Sequence, residues 1–190
     1  MKDKLKLHLG CGKVHIPGFV NIDQYDNDSV NVVDDVKKLS KFQSNSVDLI
    51  YAAHVLEHFT RWEYKDVLRR WKELLKPNGI LRIAVPDFEV ISKYYIKTKD
   101  INTIKGTLYG HQDYVGNYHY WCWDFDSLKF DLEEIGFKNV KRYNFKKTEH
   151  ANIKDWSWDH LPRHDENGDI LPDELWTTGT LVSLNVECNK

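Results

Sequence analysis

Short apolar runs that each end on a glycine, an acidic residue or a histidine constrain this chain more than any other feature. Residues 5–9 alternate and run into Gly10-Cys11-Gly12, residues 19–22 end at Asp23, and residues 30–33 end at Asp34-Asp35. Residues 47–52 lead to Ala53-His54, and residues 80–85 end at Pro86-Asp87. Strand-length runs alternating with helical signals predict an α/β fold around a mostly parallel sheet, not a sandwich or a bundle.

The helical signals are concrete. Thr60-Arg61-Trp62-Glu63 has capping-box spacing, and Val67, Leu68, Trp71, Leu74 and Leu75 recur behind it at helical intervals. This predicts a helix over 61–75, stopped by Pro77-Asn78-Gly79. Further helices are expected over 89–97 and over 127–135, the latter with Asp126 as N-cap and Gly136 at its end. Strands over 140–143 and 181–188 complete the set.

Length and composition narrow the class. A chain of 190 residues makes one ordinary domain, expected to span 1–190. With 27 Lys and Arg against 29 Asp and Glu, it is no strongly basic nucleic-acid binder. Cys11, Cys122 and Cys188 are scattered and form no C-x-x-C pair, which suits a reducing cytoplasm and no cysteine metal site. No run approaches the ~18 apolar residues of a membrane span, and the N-terminus lacks a signal-peptide core.

Two segments stand apart from the strand–helix pattern. Residues 108–130 are dense in aromatics and histidine and are expected to form a substrate or lid segment. Residues 144–179 are a long polar insertion before the last strand, with Trp156, Trp158 and Trp176. A loop that long has a function or carries small elements of its own. The aromatic excess also leaves room for a homodimer surface.

In open parallel sheets, ligands bind beyond the carboxyl ends of the strands. Glycines after the first strand let a ligand approach the backbone. A carboxylate after the second can accept ribose hydroxyls, and one after the third an exocyclic amine. Together with 7–12, 20–23, 45–50, 54–59 and 74–79, these residues resemble the successive motifs of class I S-adenosylmethionine-dependent methyltransferases. Tyr109-Gly110-His111-Gln112-Asp113-Tyr114 and Asn117-Tyr118-His119 make the chain most similar to a small bacterial group to which action on surface glycans is ascribed.

The resemblance implies a Rossmann-like seven-stranded sheet with an antiparallel last strand, and S-adenosylmethionine as cofactor. Leu9, Gly10, Cys11 and Gly12 would line the methionine part, Asp23 the ribose, and Asp35 with Val36 the adenine. Ala52 and Ala53, with His54, would lie near the amine and the transferring methyl. One departure is plain: the nine residues 10–18 span at most ~30 Å, against ~15 Å to retrace a short strand. They leave room for a turn of helix at best, and 24–31 is also too short for the second crossover helix.

Methyl transfer to an oxygen needs a base, and imidazole suits neutral pH. His54 and His119 are the candidates, Asp87 the third, and His111, Tyr118 and Trp121 are candidate substrate contacts. The expected acceptor is a small molecule or a glycan hydroxyl.

Other readings remain open. A nicotinamide fingerprint fails because His15 stands where its third glycine belongs. His54-Val55-Leu56-Glu57-His58 matches the H-x-x-E-H pattern of zinc proteases, which would use His54 and His58. The shortened crossovers leave a non-catalytic cofactor-binding protein as the alternative. His160 and His164 are spaced for a metal but lack a third ligand, so no metal is expected from the sequence.

Overall fold

The computed structural model describes residues 4–163 and 179–190. Four parallel strands come first: β1 (Lys6–Leu9), β2 (Val20–Asp23), β3 (Val32–Val33) and β4 (Val47–Ala53). After a short turn of 3-10 helix at Leu56–His58 come α1 (Tyr64–Leu74), β5 (Leu75–Pro86), α2 (Phe88–Thr98), α3 (Ile101–Tyr109) and α4 (Phe125–Ile135). The chain closes with β6 (Lys138–Arg142), the small pair β7 (His160–Leu161) and β8 (Thr180–Leu181), and β9 (Ser183–Asn189).

The main sheet has seven strands in the order β3-β2-β1-β4-β5-β9-β6. Only β9 runs against its neighbours β5 and β6. The winding reverses between β1 and β4, so the carboxyl ends of these two strands open a crevice. No helix among the described residues is long and apolar enough to cross a membrane.

The two faces of the sheet are covered differently. On one face α1 presents Val67, Leu68, Trp71 and Leu74, and α4 presents Leu128 and Leu132, to Leu7, Leu9, Ile50, Ala52, Leu81 and Ile83. The opposite face, carrying Leu49, Tyr51, Ala53 and Ala84, is sealed by Ile16, Phe19 and Ile153 from loops. No crossover helix forms between β1, β2, β3 and β4 among the described residues, and the first two links are too short for one. Loop side chains and the segment around Trp156–Trp158 take the helices' place.

Buried Asn21 makes that substitution stable. Its Oδ1 accepts from the Ile16 N–H at 2.9 Å and from His8 Nδ1 at 2.9 Å. Its Nδ2 donates to the carbonyls of Ile16 and Phe19 at 3.2 and 3.3 Å. One amide thus satisfies backbone groups that a helix would satisfy internally.

Three of the differences from the sequence reading have a clear local cause. α1 starts at Tyr64 because 60–63 close as a separate turn, in which Glu63 Oε2 accepts from the Thr60 N–H and Oγ at 3.1 and 2.8 Å. Pro77-Asn78-Gly79 does not stop α1, which ends at Leu74. It bulges out of β5, with Asn78 at φ +63°, and the pairing with β4 jumps from Val47–Leu75 to Leu49–Ile80. The N-cap of α4 is Asp124, not Asp126, because Asp124 and Ser127 form a reciprocal capping box.

Candidate active site

Backbone pairing between strand ends ties the first three loops into one rim. Beyond β1, the Cys11 N–H donates to the Ile22 carbonyl at 3.0 Å and the Gly12 N–H to Asp23 Oδ2 at 2.9 Å. The Tyr25 N–H donates to Asp23 Oδ1 at 3.0 Å. The Asp34 N–H meets the Asp23 carbonyl at 3.0 Å, and the Asp35 N–H meets Asp34 Oδ1 at 2.8 Å. Asn27 Nδ2 braces the rim from outside by donating to the Gly12 carbonyl at 3.0 Å.

The two glycines do different work. Gly12, at φ +52°, faces open space where a Cβ would stand. Gly10, at φ +60°, has Val55 Cγ2 at 2.5 Å from that position, so its missing side chain makes room for packing and not for a ligand. Leu9, Cys11, Ala52 and Ala53 are buried as the floor beneath the rim. Burial, and then the Asp23 charge, push the Cys11 thiol up to about 11. Asp23 and Asp35 are half-buried with acceptor capacity to spare, although Asp35 Oδ1 also takes the Lys37 N–H at 2.9 Å. The Val36 carbonyl accepts from Trp71 Nε1 at 2.8 Å, which fixes the third loop on α1. An open glycine backbone beside a half-exposed carboxylate fits an adenosyl ligand.

A second group lies just beyond β4. His54 leaves the strand at φ +52° and donates from Nε2 to Ser183 Oγ at 2.8 Å, while Ser183 donates to the Trp156 carbonyl at 2.6 Å. His54 Nδ1 stands 3.1 Å from Glu57 Oε1. Burial works against charge on both, but the attraction between them wins: the His54 ring is raised and the Glu57 carboxyl lowered. Glu57 is fully buried, and neither of its oxygens accepts a geometrically sound hydrogen bond.

His58 and His119 flank Glu57 from the other side, and one ligating atom from each of the three lies within 4.8 Å of the others. The two rings meet edge to face at 4.9 Å. Burial lowers the His119 pKa, with the Glu57 charge opposing. His54 is not in this trio. The H-x-x-E-H motif therefore does not form the His54–His58 pair of a zinc protease: His54 sits at a left-handed bend between β4 and the 3-10 turn, not one helical turn before His58.

The remaining sequence candidates divide. His119 lies on the segment that closes this side, whose Tyr120 N–H donates to the Glu57 carbonyl at 2.8 Å. Tyr118 is half-buried there against Tyr120, and its carbonyl accepts from His58 Nδ1 at 3.0 Å. Tyr114, further along that loop, is close enough to Asp23 for its charge to add to burial and Asp113 in pushing the phenol up. Trp121 instead stacks on Tyr64 of α1 at 5.9 Å, and exposed His111 packs against Gly106 of α3. Asp87 is a buried helix cap: Oδ1 accepts from the Glu89 and Val90 N–H groups, and Oδ2 pairs with Arg142 at 3.1 Å. Its oxygens are engaged in structure. His164 and Trp176 lie outside the described residues, so the His160–His164 pair has no structural account.

Comparison with known proteins fits this geometry. The family model described as "Methyltransferase domain" matches residues 16–83. An S-adenosylmethionine-dependent methyltransferase from Archaeoglobus fulgidus superposes at a TM-score of 0.58 and 16% identity, over 100% of this chain and 87% of that one. The fold is that of the S-adenosylmethionine-dependent methyltransferases.

The Burkholderia thailandensis 1,6-didemethyltoxoflavin-N1-methyltransferase, solved with its substrate and S-adenosylhomocysteine, is similar at 0.56 and 12% identity, over 98% of this chain and 70% of that one. The CurJ carbon methyltransferase is similar at 0.53 and 16%, over 100% of this chain and 49% of that one. One is named for nitrogen and the other for carbon, so the methyltransferase fold by itself leaves the acceptor atom open. No curated protein matches the sequence.

The sequence reading gives Glu57 only as part of the H-x-x-E-H pattern and does not single out Ser183. The signal for Glu57 was an acid between two histidines directly after a buried strand. Ser183 gave none, because its contact with His54 spans 129 positions.

Proposed function

We propose that the protein transfers a methyl group from S-adenosylmethionine to a hydroxyl of a small-molecule or glycan acceptor. The observation that carries this reading is the convergence of Glu57, His58 and His119 beside the end of β4, groups that could accept a proton. When bound, S-adenosylmethionine supplies an electrophilic methyl on a sulfonium. In this reading Asp23 binds the ribose hydroxyls, Asp35 and Val36 hold adenine, and the Gly12 backbone lies along the methionine part.

His54 is a positioning residue. Both its nitrogens are engaged, by Ser183 and Glu57, so it orients the Glu57 carboxylate and does not take a proton. An acceptor hydroxyl would enter under the 110–120 segment and give its proton to the Glu57–His58–His119 group as the new C–O bond forms and the methyl–sulfur bond breaks, leaving S-adenosylhomocysteine. Tyr114 and Tyr118 close over the reactants and limit water. Near-attack placement by these groups accounts for catalysis without a covalent enzyme intermediate.

The test is transfer of labelled methyl from S-adenosylmethionine to sugar and small alcohol acceptors, followed by mass spectrometry. The expected product is an alkali-stable ether formed together with S-adenosylhomocysteine. Label found only on nitrogen, or in no acceptor while cofactor binds, would refute hydroxyl transfer; the second outcome would favour the non-catalytic binder.

A further inference from the structure

We infer that Glu57, His58 and His119 form a binding site for a divalent first-row transition-metal ion. The inference starts from the two imidazoles. His58 Nδ1 donates to the Tyr118 carbonyl at 3.0 Å, and His119 Nδ1 donates to the Thr107 carbonyl at 2.8 Å. A backbone carbonyl at Nδ1 fixes the tautomer and leaves the Nε2 lone pair free, the arrangement metal-ligating histidines adopt.

The carboxylate supplies the second, independent observation. Glu57 is 0% exposed, yet both of its oxygens lack a hydrogen-bond partner. A buried charge with spare acceptor capacity is costly unless something binds it. His54, 3.1 Å from Oε1, offsets part of that cost and fixes the carboxylate's orientation, and Oε2 has no such neighbour.

The dimensions suit an ion. The three ligating atoms lie within 4.8 Å of one another. Donors ~2.1 Å from one tetrahedral centre stand ~3.4 Å apart, so side-chain shifts of up to about an ångström close the site. Two imidazole nitrogens and one carboxylate oxygen select Mn²⁺, Fe²⁺, Co²⁺ or Zn²⁺ over Mg²⁺ or Ca²⁺. Both rings are only half-buried, so coordination positions remain open towards solvent.

The binding claim stands apart from the proposed transfer reaction, but its use rests on that reading. With an ion bound, Glu57, His58 and His119 would serve as its ligands in place of taking the proton: an acceptor hydroxyl on an open position would lose its proton to water more readily, and the methyl would pass from the sulfonium to that oxygen.

The experiment takes the full chain stripped with a chelator, dialyses it against Co²⁺ or Zn²⁺, and measures bound metal by mass spectrometry. The Co²⁺ form is also followed by its visible ligand-field bands. One ion per chain is expected, with binding at least ~10-fold weaker in His58→Ala and in His119→Ala, and unchanged in His15→Ala. Glu57→Gln should lose the bands as well. Should that variant misfold, the two histidine variants decide alone, because His119 lies on a surface segment. Uptake well below one ion, or unchanged uptake in both histidine variants, overturns the site. S-adenosylhomocysteine calorimetry on the same samples separates the readings: failure of metal uptake with intact cofactor binding refutes only the ion, and loss of cofactor binding in the wild type refutes the transfer reading.

Discussion

Asn21 shows how one residue replaces a secondary-structure element. Its amide satisfies the backbone of Ile16 and Phe19 and receives His8, all without exposure to solvent. Asn21→Leu fills the space but leaves those groups unpaired, at ~1–3 kcal/mol for each buried group. We expect a fall in stability of at least ~2 kcal/mol by urea unfolding; a loss under ~0.5 kcal/mol would mean the loop holds itself. The sequence placed Asn21 beside Asp23 at the end of a strand, but nothing local revealed that its partners lie in the preceding loop. Asp23 was legible for the opposite reason: its role follows from position at a strand end.

A second residue-scale prediction concerns pH. His150 is buried on the loop-covered face, against Tyr51 and Phe19, with Asp155, Glu149, Arg82, Lys6 and His8 around it. Burial lowers its pKa, with Asp155 and Glu149 opposing. The unfolded chain therefore binds the proton first, and the contribution of His150 to stability is full above pH ~6.5 and declines as pH falls below it. His150→Asn should unfold with a shallower dependence between pH 7 and pH 5. Parallel curves for variant and wild type would contradict this.

At the scale of elements, α1 does most to anchor the crevice. Trp71 is fully buried on the sheet and donates to the Val36 carbonyl, so the helix fixes both the core and the third loop. Trp71→Ala should cost ~3–5 kcal/mol, measured by thermal or urea unfolding. A loss under ~1 kcal/mol would mean that α1 is not packed as described. The periodicity of Val67, Leu68, Trp71 and Leu74 made this helix readable from sequence. Its true start was not, because the Thr60–Glu63 turn uses the same residues as a capping box but closes on itself. The bulge at Pro77-Asn78-Gly79 was hidden because turn residues mark a helix end and a strand irregularity alike.

For the whole molecule, the shortened crossovers change which parts do which work. The order β3-β2-β1-β4-β5-β9-β6 keeps the crevice where the winding reverses, although the first four strands are joined by loops alone. Residues 149–158, after β6, shield the face those missing helices would cover. Tyr51 donates to Asp155 at 2.5 Å, and Arg82 pairs with Glu149 and Glu187 at 2.8 and 3.2 Å. The need for such cover was legible in the improbable length of residues 144–179. The contacts that provide it were not, since they pair positions more than 60 residues apart. The Glu57–His58–His119 group was hidden similarly: His119 joins it only after the chain has passed through β5, α2 and α3.

In the proposed reading, the loops after β1 to β4 form one site for an adenosyl cofactor, with Asp23 at the ribose. Calorimetric titration of S-adenosylhomocysteine into wild type and Asp23→Asn tests it directly. Asparagine still offers an acceptor to the Gly12 N–H, so the rim keeps its shape while the charge is lost. Saturable binding to the wild type is expected, with an affinity at least ~10-fold weaker in the variant, the worth of a charged hydrogen bond. No measurable binding to the wild type, or equal affinity in both proteins, would contradict it.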